Sequence, residues 1–395
     1  MPAVTQSPVL IGRRALLRSG IGLSGVGLAV ACLPFPLRAQ TANAPGLRFF
    51  QIGTGTTGGT YFLIGGILAN AISNPPGSLP CERGGSCGVP GLIVVAQSTS
   101  GAVENVEGIR EGRLESGLVQ ADIAYAAFRG EGAFEGRKPL TELRSIANLY
   151  TETIHLVVRA DSGIRTVADL KGKRLVLGEK GSGTLVTARI LLAAYGLSEK
   201  SVTPLYLSPG AASDRIASGE ADGFFIVGGF PLPAVADLAG RVAIGLLSFD
   251  ETHLSRIARR LPFYTGAVIE DGAYAGVPPT PTLGVGAQWL VHNRISEELV
   301  YGITRALWNE RTRDLLLTGH PRGSSIRLET ALKGLAVPLH PGAERFYREV
   351  GMAGDSAAIV PGTAGRDAGS AGASPVPRTK PAAPPAPAGR SGTPR

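Results

Sequence analysis

From residue 47 onward, short apolar runs alternate with stripes of apolar residues at helical spacing. Leu47 to Ile52 is an apolar run that leads into Gly53-Thr54-Gly55-Thr56-Thr57-Gly58-Gly59-Thr60-Tyr61. Beyond the glycines, Tyr61, Ile64, Leu68, Ala71 and Ile72 recur on one helical face. Leu92 to Ala96 then reads as a strand, Gly101 to Glu111 as a helix, Leu118 to Gln120 as a strand and Asp122 to Phe128 as a helix. Arg144 to Tyr150 and Ile154 to Arg159 read as two further strands. Val167 to Leu170 forms a helical turn and Arg174 to Leu177 a strand. A second glycine-hydroxyl turn, Gly178-Glu179-Lys180-Gly181-Ser182-Gly183-Thr184, then opens a helix with Val186, Ile190, Leu191 and Ala194 on one side. Leu205 to Leu207, Gly223 to Val227 and Val242 to Leu247 supply more strands. A strand around Trp289 and one long helix, Glu297 to Leu317, follow beyond Pro262. This alternation predicts α/β layering.

The two ends of the chain differ from this middle. Arg13-Arg14-Ala15-Leu16-Leu17-Arg18 is a twin-arginine pattern, Ile21 to Leu33 is an apolar run, and Leu37-Arg38-Ala39 ends in a small residue suited to signal cleavage. Residues 1–39 therefore read as an export signal. Its apolar run is shorter than the roughly 20 residues that span a bilayer. Cys32 follows Ala29-Val30-Ala31, a poor lipoprotein box. Residues 362–395 are Ala, Pro, Gly and Ser with almost no large apolar side chain, a composition expected to be disordered. The formal charge of +8 resides wholly in these ends and leaves 40–361 neutral, so the basic balance is no footprint of a nucleic-acid-binding domain. About 320 residues then remain, a length suited to two lobes. Cys81 and Cys87 enclose Glu82-Arg83-Gly84-Gly85-Ser86 and read as a disulfide in an oxidising compartment; a metal site needs two more ligands nearby, and the sequence offers none.

The two glycine-hydroxyl turns carry the candidate chemistry. Each places backbone N–H groups and hydroxyls at a helix start, an arrangement that favours anions. Gly53, Gly55 and Gly58 also spell the dinucleotide fingerprint, which requires an acid about 20 residues on for the ribose. Position 73 is Ser and the second strand ends in Gln97-Ser98-Thr99-Ser100, so that acid is missing and no cofactor is expected. Gly84-Gly85-Ser86-Cys87-Gly88 matches the hydrolase motif, but in a Pro/Gly loop rather than a strand-to-helix turn. His155, His253, His292, His320 and His340 are scattered, and Asp122 and Glu152 read as helix-cap or lobe-interface groups. No nucleophile–base set emerges, so the chain is not expected to be an enzyme.

An ordered set of phrases points further. Ile52 to Tyr61 is followed by Ser100-Gly101-Ala102-Val103-Glu104-Asn105, Leu118-Val119-Gln120-Ala121-Asp122, His155-Leu156-Val157-Val158-Arg159, Gly181-Ser182-Gly183-Thr184 and Pro338-Leu339-His340-Pro341-Gly342-Ala343-Glu344-Arg345. Over about residues 48–351 the chain resembles the TAXI family of TRAP transporter solute-binding subunits. The resemblance implies an α/β, two-lobe periplasmic binding fold (type II, Venus-flytrap) with hinge strands. Lobe I is expected over 40–158 and 264–361, lobe II over 159–263. It also implies capture of a small carboxylate, glutamate-like or dicarboxylate, and delivery to TRAP membrane permease subunits. The residues it assigns to the ligand are Thr56, Thr57, Thr60, Tyr61, Ser100, Gln120, Ser182, Gly183 and Thr184, with Phe225 as a cleft wall. Thr56 stands where the family often has Ser. The segment from Cys81 to Cys87 is an insertion relative to shorter members. A ligand sensor serving a kinase, or an exported oxidoreductase, are the competing readings.

Overall fold

The computed structural model describes residues 46–352. The export-type segment 1–39 with Cys32, and the segment 362–395, lie outside the described residues. β1 (Arg48–Gly53) runs through the first glycine turn into α1 (Thr60–Ile72). Two short strands, β2 (Ser73–Asn74) and β3 (Val89–Pro90), flank the cysteine loop, and β4 (Leu92–Gln97) follows. Next come α2 (Ala102–Glu111), β5 (Ser116–Gln120) and α3 (Ala121–Arg129). A 17-residue strand, β6 (Leu143–Arg159), leads to the second set of layers. These comprise β7 (Arg174–Val176), α4 (Gly183–Ala194), β8 (Thr203–Leu205), α5 (Pro209–Ala217), β9 (Gly223–Gly228), α6 (Pro233–Arg241), β10 (Ile244–Leu246) and α7 (Glu251–Arg260). The chain returns through β11 (Tyr264–Ile269) and the 13-residue β12 (Thr280–His292) to α8 (Glu297–Leu307), α9 (Glu310–Gly319) and α10 (Pro341–Glu349).

All twelve strands join one mixed sheet, in the order β3-β2-β4-β1-β5-β12-β6-β9-β7-β8, with β10 on β6 and β11 on β12. The two long strands pair antiparallel at its centre, from Gly284↔Thr153 to His292↔Leu143. Each serves both halves of the sheet. Thr153 to Val158 of β6 pair with β9, while its earlier residues pair with β12. Ala287 to Val291 of β12 pair with β5, while Thr280 to Val285 pair with β11. At about 3.3 Å per residue such strands are long enough to run through both halves. The result is an α/β fold of two lobes on one sheet, joined by crossing strands, as the sequence led us to expect.

The crossing corrects one sequence expectation. Arg144–Tyr150 and Ile154–Arg159 are one strand, because the polar Thr151-Glu152-Thr153 between them continues the extended backbone. Those residues looked like a turn, yet Glu152 and Thr153 are only 3% and 2% exposed. The polar interruption marks the place where the strand passes between the lobes.

Burial explains the other elements. β9 is buried on both faces: Phe224 and Ile226 join a core with Val157, Ile216 and Leu238, while Phe225 faces the main core. A strand covered by helices on both sides reads as a continuous apolar run. Ile269, Tyr274 and Val277 also join the second core, so the chain stays with it past residue 264 and returns along β12. β8 lies two residues earlier than the expected Leu205–Leu207 strand.

The expected helix Glu297–Leu317 is two helices. Asn309 breaks it: its side chain accepts from the Thr312 backbone N–H at 2.7 Å, capping α9. The same side chain donates to the Cys87 carbonyl at 3.3 Å. Cys81 and Cys87 are disulfide-bonded, with Cα atoms 4.7 Å apart. Ser86 of the hydrolase-like motif lies in this loop and donates to the Ser73 carbonyl.

Asn309 therefore holds both a helix start and the disulfide loop. Asn309→Ala is expected to lower stability by about 1 kcal/mol or somewhat more, read as the urea midpoint shift at unchanged slope.

Candidate functional site

In the first lobe β1, β4 and β5 run parallel, and in the second β7, β8 and β9 do. In open α/β sheets, ligands bind where the carboxyl ends of such strands meet helix starts. Here the two sets of strand ends face each other across a cleft. The cavity between them measures about 70 Å³. Its walls include Thr60 at the start of α1, Ala102 of α2, Gln120 at the N-cap of α3, Gly183 of α4 and Pro209 of α5. Five helix N-termini thus converge, each carrying partial positive charge and first-turn groups without intrahelical partners. Among the described residues no Lys, Arg or His lines the cavity.

The cleft is closed. Thr60 Oγ1 donates to the Gly229 carbonyl at 2.7 Å, and the Glu104 backbone N–H donates to the Gly181 carbonyl at 3.0 Å. Both bonds join the lobes. Two glycines make this approach possible. A Cβ on Gly58 would lie 3.0 Å from Pro209 Cβ and 3.2 Å from Ala234 Cβ. A Cβ on Gly183 would fall 1.4 Å from Gln120 Oε1 and 3.3 Å from Ala102 Cβ, so the Gln120 amide would have to leave its place in the wall.

The structure gathers nine of the ten expected ligand residues at this cavity: Thr56, Thr60, Tyr61, Ser100, Gln120, Ser182, Gly183, Thr184 and Phe225. Thr57 is the exception; it is exposed and lies outside the wall. Several of the hydroxyls are engaged with protein. Ser182 Oγ accepts from the Leu185 N–H at 3.1 Å, capping α4, and donates to the Glu179 carbonyl at 2.7 Å. Thr184 Oγ1 accepts from the Val227 N–H at 3.2 Å. Thr56 donates to Glu179 across the cleft. These hydroxyls shape and close the site. Gln120 Nε2, by contrast, is buried and has no partner within the protein. A buried donor left open in a cavity wall is one that a ligand would satisfy.

One acid, Glu152, stands in the inner wall, and two others lie near it or at the rim. Glu152, which the sequence suggested as a cap or interface group, caps no helix and lines the cavity. Tyr61 donates to Glu152 Oε2 at 2.7 Å. Burial pushes the Glu152 carboxyl up to about 8, Tyr61 opposes this, and the nearby Asp122 adds to it. Tyr264 donates to Asp122 Oδ2 at 2.8 Å and sits 3.2 Å from Thr187 Oγ1. Burial raises Asp122 to about 6. Glu179, half-buried at the rim, is raised by burial and by Glu104. Glu152 lies between the lobes, one of the two places the sequence suggested, but no ligand role was assigned to it because an acid between two threonines carries no anion-binding signature. Its one local signal was position, between two halves of a strand too apolar to end there.

The histidines serve the scaffold. His320 and His340 accept backbone N–H groups at the starts of their helices, and His155 contacts the Tyr274 hydroxyl at 3.0 Å. Among the described residues no group of three or more His, Cys, Asp or Glu is placed to hold a metal.

Two lobes on one sheet, closing helix starts over a small cavity, define the α/β fold of the two-lobe solute-binding proteins. The chain belongs to the NMT1-like family, whose pattern it matches over residues 52–351. Among solved structures it is similar to the alkanesulfonate-binding protein SsuA from Xanthomonas axonopodis pv. citri bound to MOPS. Identity there is 21% over 77% of this chain and 85% of that one, with a TM-score of 0.43. It is also similar to PhnD1 from Prochlorococcus marinus (MIT 9301) in complex with methylphosphonate, at 12% identity over 77% and 99% of the two chains and a TM-score of 0.45.

Gly183→Ala is expected to disfavour the closed cleft by about 1–3 kcal/mol, the usual cost of overpacking. Small-angle scattering should then give a larger radius of gyration than wild type, at equal secondary-structure content by circular dichroism.

Proposed function

We propose that this protein is an exported solute-binding subunit that captures a small carboxylate by lobe closure and hands it to a membrane permease. The observation that carries the reading is the convergence of five helix N-termini on a closed cavity with no basic side chain. Such a site holds an anion through backbone N–H groups and oriented dipoles. Gln120 Nε2 supplies a further donor.

An open form would take the acid on one lobe, and contacts from the other would then favour closure. The bonds between the lobes at Thr60 and Glu104 belong to the closed form that a permease would recognise. The resemblance to TAXI subunits supports a TRAP-type permease as the partner, and Arg13-Arg14 supports twin-arginine export to the periplasm. The fit of Thr56, Tyr61 and Ser100 to the cleft supports the ligand set assigned by that resemblance. Nothing in the cleft requires bond making or breaking.

Calorimetry with succinate, 2-oxoglutarate and L-glutamate tests the reading, alongside mass spectrometry of any acid that co-purifies. At least one acid should bind. Thr60→Ala removes a bond across the lobes, and Ser182→Ala a helix cap at the ligand. Each is expected to weaken binding by about 0.5–1.5 kcal/mol, the scale of one neutral hydrogen bond lost from the closed site, while unfolding stays cooperative. Unchanged affinity in both variants would sink the site assignment.

A further inference from the structure

Glu152 has no role in simple anion capture by helix ends, and as a bare carboxylate it would oppose it. Its setting is unusual for an ionised acid. It is 3% exposed, on the cavity wall, and its one side-chain partner is the Tyr61 hydroxyl at 2.7 Å on Oε2. No cationic side chain lines the cavity. The groups that face it are Tyr61 from α1, Asp122 from α3, Tyr150 from its own strand and Tyr264 from β11. None of these carries positive charge; the Arg322 guanidinium reaches Tyr150, where it opposes the effect of burial, and does not line the cavity among the described residues. The cleft therefore sets a buried acid opposite a cluster of helix starts built for a negative ligand.

We infer that Glu152 works as a neutral carboxyl that donates a hydrogen bond to the anion, so that the ligand binds only to the form of the protein carrying that proton. This rests on the anion-binding reading above and adds a charge rule to it. One oxygen accepts from Tyr61, and the other carries the proton toward the cavity. The proton stays on the carboxyl, and deprotonation places two negative groups in one small cavity. Burial holds the carboxyl near 8, so the binding form is present below that pH and is lost as pH rises through it. Asp122, raised by burial to about 6, titrates below this range. Tyr61, Tyr150 and Tyr264 are pushed above it by burial.

The test is calorimetry on the mature protein with 2-oxoglutarate, whose charge is constant from about pH 6.5 to about pH 9.5, and with L-glutamate as a second probe. Wild-type affinity should be flat near neutrality and fall about tenfold per pH unit above the carboxyl's pKa. Glu152→Gln keeps a donor and cannot titrate; its profile should be flat, so that at about pH 9 it binds about tenfold more tightly than wild type. Tyr61→Phe removes the bond that favours the carboxylate, and should move the fall to higher pH. A purely structural role for Tyr61 would instead weaken binding equally at every pH.

A flat wild-type profile would overturn the inference. So would loss of binding at neutral pH in a cooperatively folded Glu152→Gln, which would show that the ionised acid meets a cation on the ligand. Should Glu152→Gln fail to fold, the Tyr61→Phe shift decides alone. If none of succinate, 2-oxoglutarate and L-glutamate binds at any pH, the carboxylate reading itself falls, and this inference with it.

Discussion

The antiparallel pairing of β6 with β12 is the constraint on which the rest of the molecule depends. Both strands are long enough to belong to two lobes at once, and they pair from Gly284↔Thr153 to His292↔Leu143. Because they cross in opposite directions at the centre of one sheet, the parallel strands on either side present their carboxyl ends to the same gap. Every helix that follows those strands then begins at that gap. The electrostatic character of the cleft is thus a consequence of topology, since backbone dipoles point where the strand order sends them.

Close approach imposes its own demands on the residues in the gap. Gly58 and Gly183 are glycines because the opposing wall occupies the space of a side chain. Thr60, Ser182 and Thr184 have hydroxyls committed to closing the lobes, capping a helix or tying α4 to β9. What remains to meet a ligand is the backbone of the helix starts, the amide of Gln120 and the carboxyl of Glu152. A cavity with partial positive charge on one side and a desolvated acid on the other can select a ligand by charge state as well as by shape.

The local features of the site were legible in the sequence. Each glycine-hydroxyl turn follows an apolar strand and precedes a helical stripe, and the missing ribose acid near position 73 removed the nucleotide reading. Nine of the ten residues named from these turns and the family resemblance line one cavity. Thr57 does not, because the helix begins at Thr60 and the turn before it rotates Thr57 outward to solvent. The break between α8 and α9 was hidden by continuous apolar periodicity across Trp308. It rests on the Asn309 cap, a weak local preference reinforced by a contact with the distant Cys87 loop.

Strand and helix identity, the two anion-favouring turns and the pairing of Cys81 with Cys87 were set by local pattern, because side-chain periodicity and turn chemistry act over a few residues. The sequence alone could not show that Thr151-Glu152-Thr153 continues a strand, since a polar triplet between apolar runs is the usual mark of a turn. Only the tertiary structure decided that, by threading the triplet between two lobes and setting Glu152 in the cavity wall against the Tyr61 hydroxyl. Burial is a property of the whole assembly. It turned an acid expected only at a cap or an interface into a group whose carboxyl is pushed up to about 8.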